Sequence, residues 1–276
     1  MPHRATSATF PQPYDPATDP PVPSEGTIVV EIVEDIAFVG LRRPDKLNAL
    51  TLSMLDSLVD VAPIFRRRRN RHVRAVVLHG EGEAFCAGMD LGHALKDPVG
   101  IARRFVSRPW LGTNVFQEAC WAWRRLPVPV VAAVHGHCLG AGLQLALGAD
   151  LRVSTPDARW SVREAHWGLT PDMSGTRSLS EVVGLDVAQE LTLSARVLPG
   201  DEAARLGLVT RLADDPIAGA VELLAPILAN DPQAVAAGKR LLTTARASSP
   251  RRAFARERRA QLALLARMGR RGLPVR

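Results

Sequence analysis

Pro127-Val128-Pro129-Val130-Val131-Ala132-Ala133-Val134-His135-Gly136-His137-Cys138-Leu139-Gly140-Ala141-Gly142-Leu143-Gln144-Leu145-Ala146 changes its period part-way along. Val128 to Val134 is a continuous apolar run, the pattern of a strand covered on both faces. His135-Gly136 breaks it, and a helix is expected from Ala141 to Leu147. A second stretch has the same order. Val73 to Leu78 reads as a strand and enters the Gly-rich loop Gly80 to Gly92, which contains Ala84-Phe85-Cys86-Ala87-Gly88-Met89-Asp90-Leu91. Small residues let backbone N–H groups approach a ligand closely. A helix beginning near Gly140 would add the positive end of its dipole. Two N–H donors converging on one oxygen form an oxyanion hole, in which each donor contributes about 3 kcal/mol. Taken singly, each segment also fits an ordinary strand-to-helix turn.

Outward from these stretches the chain repeats strand, loop and helix, which points to an α/β protein. Thr27 to Val33 and Ile36 to Leu41 read as a hairpin around Glu34–Asp35. Arg42 to Lys46 is a loop because of Pro44. Thr51 is suited to cap a helix carrying Leu52, Leu55, Leu58, Val59 and Ala62, which Pro63 should kink or end. One helical segment is expected over 100–125, and strand-like pieces over Leu151 to Ser154 and Arg159 to Val162. From Thr176 onward the pattern is helical, apart from a short apolar piece at Leu208 to Leu212. Residues 1–26, with Pro at positions 2, 11, 13, 16, 20, 21 and 23, read as a Pro-rich disordered arm. A dinucleotide-binding fold would alternate in the same way, but neither Gly-rich loop has its fingerprint followed by a ribose-binding acid.

The bulk properties exclude several classes. No apolar run reaches the roughly 18 residues of a membrane span, and no apolar core follows the basic N-terminus as in a signal peptide. Cys86, Cys120 and Cys138 lack a framework spacing, which points to reduced thiols in the cytoplasm. The net charge of +7 is concentrated at Arg66 to Arg69 with Arg71, and between Arg251 and Arg271. These runs read as solvated helix faces, or as attraction for a polyanion. No aromatic residues interleave them, so nucleic acid is a weak reading. His135-Gly136-His137-Cys138 has no second ligand pair, and no metal site is expected. His93 and His166 read as exposed or satisfied, Trp121-Ala122-Trp123 as packing, and Cys86 as a lining residue without a paired base.

The two loops together resemble the enoyl-CoA hydratase/isomerase (crotonase) superfamily. Phe85 to Leu91 matches its F-x-A-G-x-D-hydrophobic signature, and Pro127 to Gly136 its P-x-P-V strand before a Gly triplet. Arg43-Pro44-Asp45-Lys46-Leu47-Asn48-Ala49-Leu50 resembles its R-P-x-x-x-N-A-L stretch, and Ala203 to Val209 its A-x-x-x-G-L-V segment. The resemblance runs over about residues 27–245. It implies a crotonase-like spiral of ββα repeats over residues 27–215, followed by a C-terminal helical oligomerisation region over 216–276. It implies that the N–H groups of Met89 and Ala141 form an oxyanion hole, Ala141 replacing the middle Gly of the triplet. Substrate and CoA contacts are implied for Arg43, Lys46, Leu47, Ala87, Gly88, Asp90, Leu91, Gly140 and Lys239. No separate cofactor is implied, CoA being part of the substrate. Apolar residues along the tail, Leu223, Leu224, Ile227, Leu241, Leu262, Leu264 and Leu265, together with the resemblance imply a homotrimer or a dimer of trimers.

The acid and base are less regular. Hydratases of the family carry two catalytic Glu residues. Glu164 occupies one position, and Gln144 stands at the other. An amide does not titrate at physiological pH and cannot act as a general base, though it can orient water or substrate. Asp172 lies eight residues beyond Glu164, a spacing resembling the dienoyl-CoA isomerase branch, which has Asp where this chain has Gln144. Asp172 could instead cap the following helix, and Glu164 could sit in a surface ion pair. Three readings stay open at this point: a hydratase, a double-bond isomerase using Glu164 and Asp172, and a non-catalytic acyl-CoA binder.

Overall fold

The computed structural model describes residues 27–67, 70 and 72–271. The arm expected over residues 1–26, and Arg68, Arg69 and Arg71 of the first basic run, lie outside the described residues.

Strands β1 (Ile28–Val33) and β2 (Ile36–Leu41) form the expected antiparallel hairpin, with Val33 opposite Ile36 and Glu34 turning the corner at φ 55°. Helix α1 (Leu52–Val61) starts where Thr51 accepts a hydrogen bond from the Met54 N–H at 3.2 Å. It ends before Pro63, which falls in a 3-10 turn over Ala62–Arg66. Strand β3 (Ala75–Gly80), short helix α2 (Leu91–Ala94), α3 (Pro98–Phe105) and α4 (Val115–Arg124) follow. The single helix expected over 100–125 is therefore two. Pro109 and Gly112 separate them, and Asn114 with Gln117 forms a reciprocal capping box that starts α4 afresh.

Strand β4 (Val130–Val134) leads into β5 (His137–Leu139) and α5 (Ala141–Gly148), and β6 (Leu151–Ser154) leads into β7 (Arg159–Ser161). Next come α6 (Gly175–Val182), α7 (Leu185–Ser194), β8 (Leu198–Pro199), α8 (Gly200–Arg205) and β9 (Arg211–Leu212). Of the apolar piece expected over Leu208 to Leu212, only its end is strand, while Leu208 and Val209 are core. Helices α9 (Pro216–Leu228), α10 (Pro232–Ala245) and α11 (Pro250–Arg271) complete the described chain.

The larger sheet has the order β1-β2-β3-β4-β6-β9, parallel from β2 onward; β5, β7 and β8 form a smaller one. After β4 and β6 the chain leaves the large sheet, adds β5 or β7 to the small one and continues into a helix or helical turn, and after β3 a single bridge at Cys86 takes the place of the short strand, which is the ββα spiral. The apolar runs of β3 and β4 follow from burial on both faces. Val76, Leu78, Val130, Ala132 and Val134 point into the main core, and Val77, Val131 and Ala133 into a second layer closed by Ala220 and Leu224 of α9. The α9 helix is thus part of the sheet's packing. In contrast, α11 leaves Phe254, Leu262, Leu265 and Met268 exposed.

Candidate active site

The site is assembled by hydrogen bonds between three loops. The Cys86 N–H donates to the His137 carbonyl (2.8 Å) and the Leu139 N–H to the Cys86 carbonyl (3.0 Å), so the two small-residue stretches run in parallel. The N-terminal loop lies along the other edge. Ala87 N–H donates to Leu47 O (2.9 Å), Leu50 N–H to Gly88 O (2.7 Å) and Asp90 N–H to Leu50 O (2.9 Å). Fully buried Asn48 locks that loop, its Nδ2 donating to the carbonyls of Glu81 (2.8 Å) and Ala84 (2.7 Å) while its Oδ1 accepts from the Arg43 N–H (2.8 Å).

Among the described residues, neither the Met89 nor the Ala141 backbone N–H donates to another protein atom. Gly88 has φ 108°, and a Cβ there would stand 3.1 Å from the Leu139 carbonyl and 3.9 Å from the Ala141 nitrogen. Gly140 has φ 50° and ψ −117°, a region closed to side chains. Both glycines let the two loops approach each other, and Met89 and Ala141 line one cleft. At position 142 the constraint is space, because a Cβ would meet the Cys86 carbonyl at 2.4 Å. The middle residue carries no such restriction in this fold, and Ala141 is buried there with its methyl group.

A cleft of about 340 Å³ opens at this point, lined by Ala87, Gly88, Met89, Leu91, Gly140, Ala141, Gln144, Glu164 and Asp172 from the sequence reading. Phe105, Arg163, Trp167, Leu169, Thr170 and Met173 complete it. The reading missed these six; exposed Phe105 and Trp167 in helical positions and exposed Leu169 in the loop beyond carry no signal in one sequence.

Glu164 opens a 3-10 turn (Glu164–Trp167) and is buried. Its Oε1 accepts from Gln144 Nε2 at 2.5 Å, while its Oε2 is buried without a partner among the described residues. Burial pushes its carboxyl above the ordinary Glu range, the Gln144 bond pulls it down, and the Asp172 charge adds to the rise. Burial likewise raises Asp172. Asp172 does not cap α6: that helix begins at Ser174 in the left-handed conformation, without a side-chain cap. Neither carboxylate has an ion-pair partner among the described residues. Two carboxyls facing one desolvated cleft favour states in which one keeps its proton, which supplies an acid and a base together.

Gln144 is 1% exposed. Its Oε1 accepts from the N–H groups of Met173 and Gly175, both at 2.9 Å, which differs from the expected role of orienting water or substrate.

The remaining residues fall outside the cleft lining. Arg43 pairs with Asp90 at 2.9 Å and donates to the Ala49 carbonyl at 3.0 Å, while Lys46 is exposed and Leu47 half-buried beside them. Lys239 lies on α10, away from the cleft. Its ammonium pairs with Asp150 (2.6 Å) and donates to the carbonyls of Val128 (2.8 Å) and Trp123 (3.3 Å). Where the resemblance implied a CoA phosphate contact, the ammonium holds a part-buried ion pair. Cys86 does not line the cleft either; it is fully buried behind Gly142, and desolvation pushes its thiol up to about 12. All three cysteines are unpaired and buried. Trp123 is core, and Trp121 stacks under Arg124. No cluster of three metal-ligating side chains occurs among the described residues, and no helix among them is long and apolar enough to cross a membrane.

Residues 31–271 match the model of the enoyl-CoA hydratase/isomerase family. The chain belongs to this family. It is 33% identical over 218 residues to the short-chain-enoyl-CoA hydratase of Clostridium acetobutylicum, covering 78% of this chain and 80% of that one. It is 32% identical over 226 residues to the mitochondrial Δ(3,5)-Δ(2,4)-dienoyl-CoA isomerase of Mus musculus, covering 78% and 68%. A Thermobifida fusca YX protein provisionally assigned as an enoyl-CoA hydratase, solved in complex with CoA, superposes with a TM-score of 0.75 at 33% identity, over 88% of this chain and 95% of that one. The enoyl-CoA hydratase/isomerase fold expected from the motifs is therefore present, and the family contains both reaction types left open above.

Proposed function

We propose that this enzyme shifts double bonds in an unsaturated acyl-CoA by proton transfer, with Glu164 and Asp172 as the two proton carriers. The observation that supports this most directly is the pairing of both carboxyls in one cleft with a neighbouring amide whose oxygen is already filled. An amide oxygen has two lone pairs, and Met173 and Gly175 occupy both. Gln144 therefore has no acceptor left with which to hold an attacking water.

In the reaction, the thioester oxygen lies against the N–H groups of Met89 and Ala141. The free Oε2 of Glu164 takes a proton from the carbon next to the thioester, and the electron pair moves into a conjugated enolate stabilised by the two N–H donors. Protonated Asp172 returns a proton at the far end of the conjugated system as the enolate collapses. One C–H bond breaks and another forms. Solvent exchange then resets the two carboxyls. The chemistry needs no cofactor beyond the CoA of the substrate. The CoA moiety runs along the Arg43–Leu50 loop and the Ala87–Leu91 segment. The CoA and acetoacetyl-CoA complexes of the Thermobifida fusca relative support a thioester ligand.

Hydration of a 2-enoyl-CoA is the second reading. It is favoured by the Clostridium acetobutylicum relative and by the free Glu164 oxygen, which could activate a water alone. Incubating enoyl- and dienoyl-CoA thioesters in deuterated water separates the two by mass. Deuterium uptake without added water supports the isomerase, and gain of water mass establishes the hydratase. Thioester binding without either change establishes a binder. The exposed apolar residues of α11 and α7 support assembly as a trimer or dimer of trimers; light scattering at micromolar concentration tests this, and a monomer refutes it. The buried, unpaired cysteines accord with a cytoplasmic, reducing setting.

A further inference from the structure

We propose that Gln144 is a positioning residue that commits the site to proton transfer. Its amide oxygen fixes the turn carrying Asp172, its amide nitrogen fixes one oxygen of Glu164, and no acceptor on it remains for water. The inference rests on the isomerase reading above and assigns the residue that selects it.

The orientation of the amide is fixed by its neighbours. With oxygen and nitrogen exchanged, an NH2 group would face two N–H donors and a carbonyl would face a carboxylate oxygen at 2.5 Å. The turn beyond Asp172 is shaped for this one atom. Ser174 adopts φ 69°, so the N–H groups on either side of it converge as a small backbone nest on the Gln144 oxygen. Position 175 leaves room for the clamp only as Gly, since a Cβ there would stand 2.5 Å from Gln144 Oε1.

A carboxylate at position 144 would satisfy the same nest. Its second oxygen, however, would sit at the distance of the present Nε2, 2.5 Å from Glu164 Oε1, and would repel it. The charged or titratable groups near Glu164 are Asp172 and Arg163 of the cleft and the Cys120 thiol of α4 behind it. Arg163 donates to the Ala195 carbonyl at 3.1 Å. Gln144 is the neighbour that donates directly to the Glu164 carboxylate, so it decides which Glu164 oxygen meets the substrate and keeps a second base away from a water.

The test uses the full chain, crotonyl-CoA and 3,5-octadienoyl-CoA in deuterated water, and the variants Gln144→Glu and Gln144→Met. Gln144→Glu keeps the nest filled. It should raise the ratio of water addition to deuterium exchange about tenfold or more and move the acid limb of kcat/KM up by about one pH unit, because a second negative charge disfavours ionised Glu164. Gln144→Met releases both ends. It should lower kcat about 100-fold, and adding Asp172→Asn should cost little more, since the Asp172 turn is already loose. Should Gln144→Met fail to fold, Gln144→Glu decides alone.

An acid limb and ratio unchanged in Gln144→Glu overturn the proposal, and so does a limb that moves while the ratio stays fixed. A wild-type chain that adds water, or that neither exchanges nor hydrates, sinks the isomerase reading itself, and this inference with it. A wild type that exchanges deuterium without adding water, together with an indifferent Gln144→Glu, sinks the inference alone.

Discussion

Replacing Lys239 by Met asks whether this lysine is a strut or a ligand contact. Its side chain is 9% exposed and its three ammonium donors meet Asp150, Val128 and Trp123. Burial lowers the Lys239 pKa despite the pull of Asp150, and burial raises the Asp150 pKa despite the pull of Lys239. On both partners desolvation outweighs attraction, so the pair is costly to bury and costlier to break. Removing one member of such a pair costs about 3–5 kcal/mol. At about 2–4 °C per kcal/mol for a domain of this size, Tm should fall by about 6–20 °C. Among the described residues, Asp150 would keep the Val130 N–H as its hydrogen-bond partner (2.8 Å) and the more distant charge of Arg124.

The pH dependence has a definite sign. With its folded pKa raised further, the Asp150 carboxyl binds a proton more tightly folded than unfolded. The deficit of the variant is therefore largest at neutral pH, shrinks as pH falls through the variant's folded pKa, and levels off below the wild-type folded value, itself raised by burial. Urea titrations at two pH values and one protein concentration read this, and Asp150→Leu in the same chain should restore much of the loss. KM for a CoA thioester should not change. A stability loss below about 1 kcal/mol together with a tenfold rise in KM would falsify the argument and make Lys239 the CoA contact that the family resemblance implied.

Glu164→Gln should lower kcat about 10²- to 10⁴-fold with thioester binding retained, read by steady-state kinetics and calorimetry; near-normal turnover rules Glu164 out. The acid limb of kcat/KM should lie above the ordinary carboxylate range, because the base works only when ionised and burial raises it. A limb near the model-peptide value would mean that the cleft is wet. Gly175→Ala should cost about 1–3 kcal/mol through overpacking against Gln144, and kcat should fall with it; an unchanged Tm by calorimetry would show that the clamp can move aside at no cost.

The motifs made the backbone of the site readable because backbone geometry restricts residue type. Gly88 and Gly140 adopt conformations that a side chain would oppose, and Val130 to Val134 must be apolar because both faces of β4 are covered. Each restriction leaves a mark in one position. The break between α3 and α4 was legible too, in Pro109 and Gly112, but the surrounding helical pattern masked it. Partner choice leaves no such mark. A half-buried lysine with three donors satisfied has the same letter as one reaching for a phosphate, and the position of Asp150 in the bend before β6 distinguishes them. Gln144 shows the same limit within the cleft itself. Its identity announced a missing carboxylate, while its role depends on two N–H groups about thirty residues away, brought to one atom by a left-handed serine. The sequence thus specifies where the two small-residue loops meet, and the fold decides which side chains in the cleft between them are still free to act.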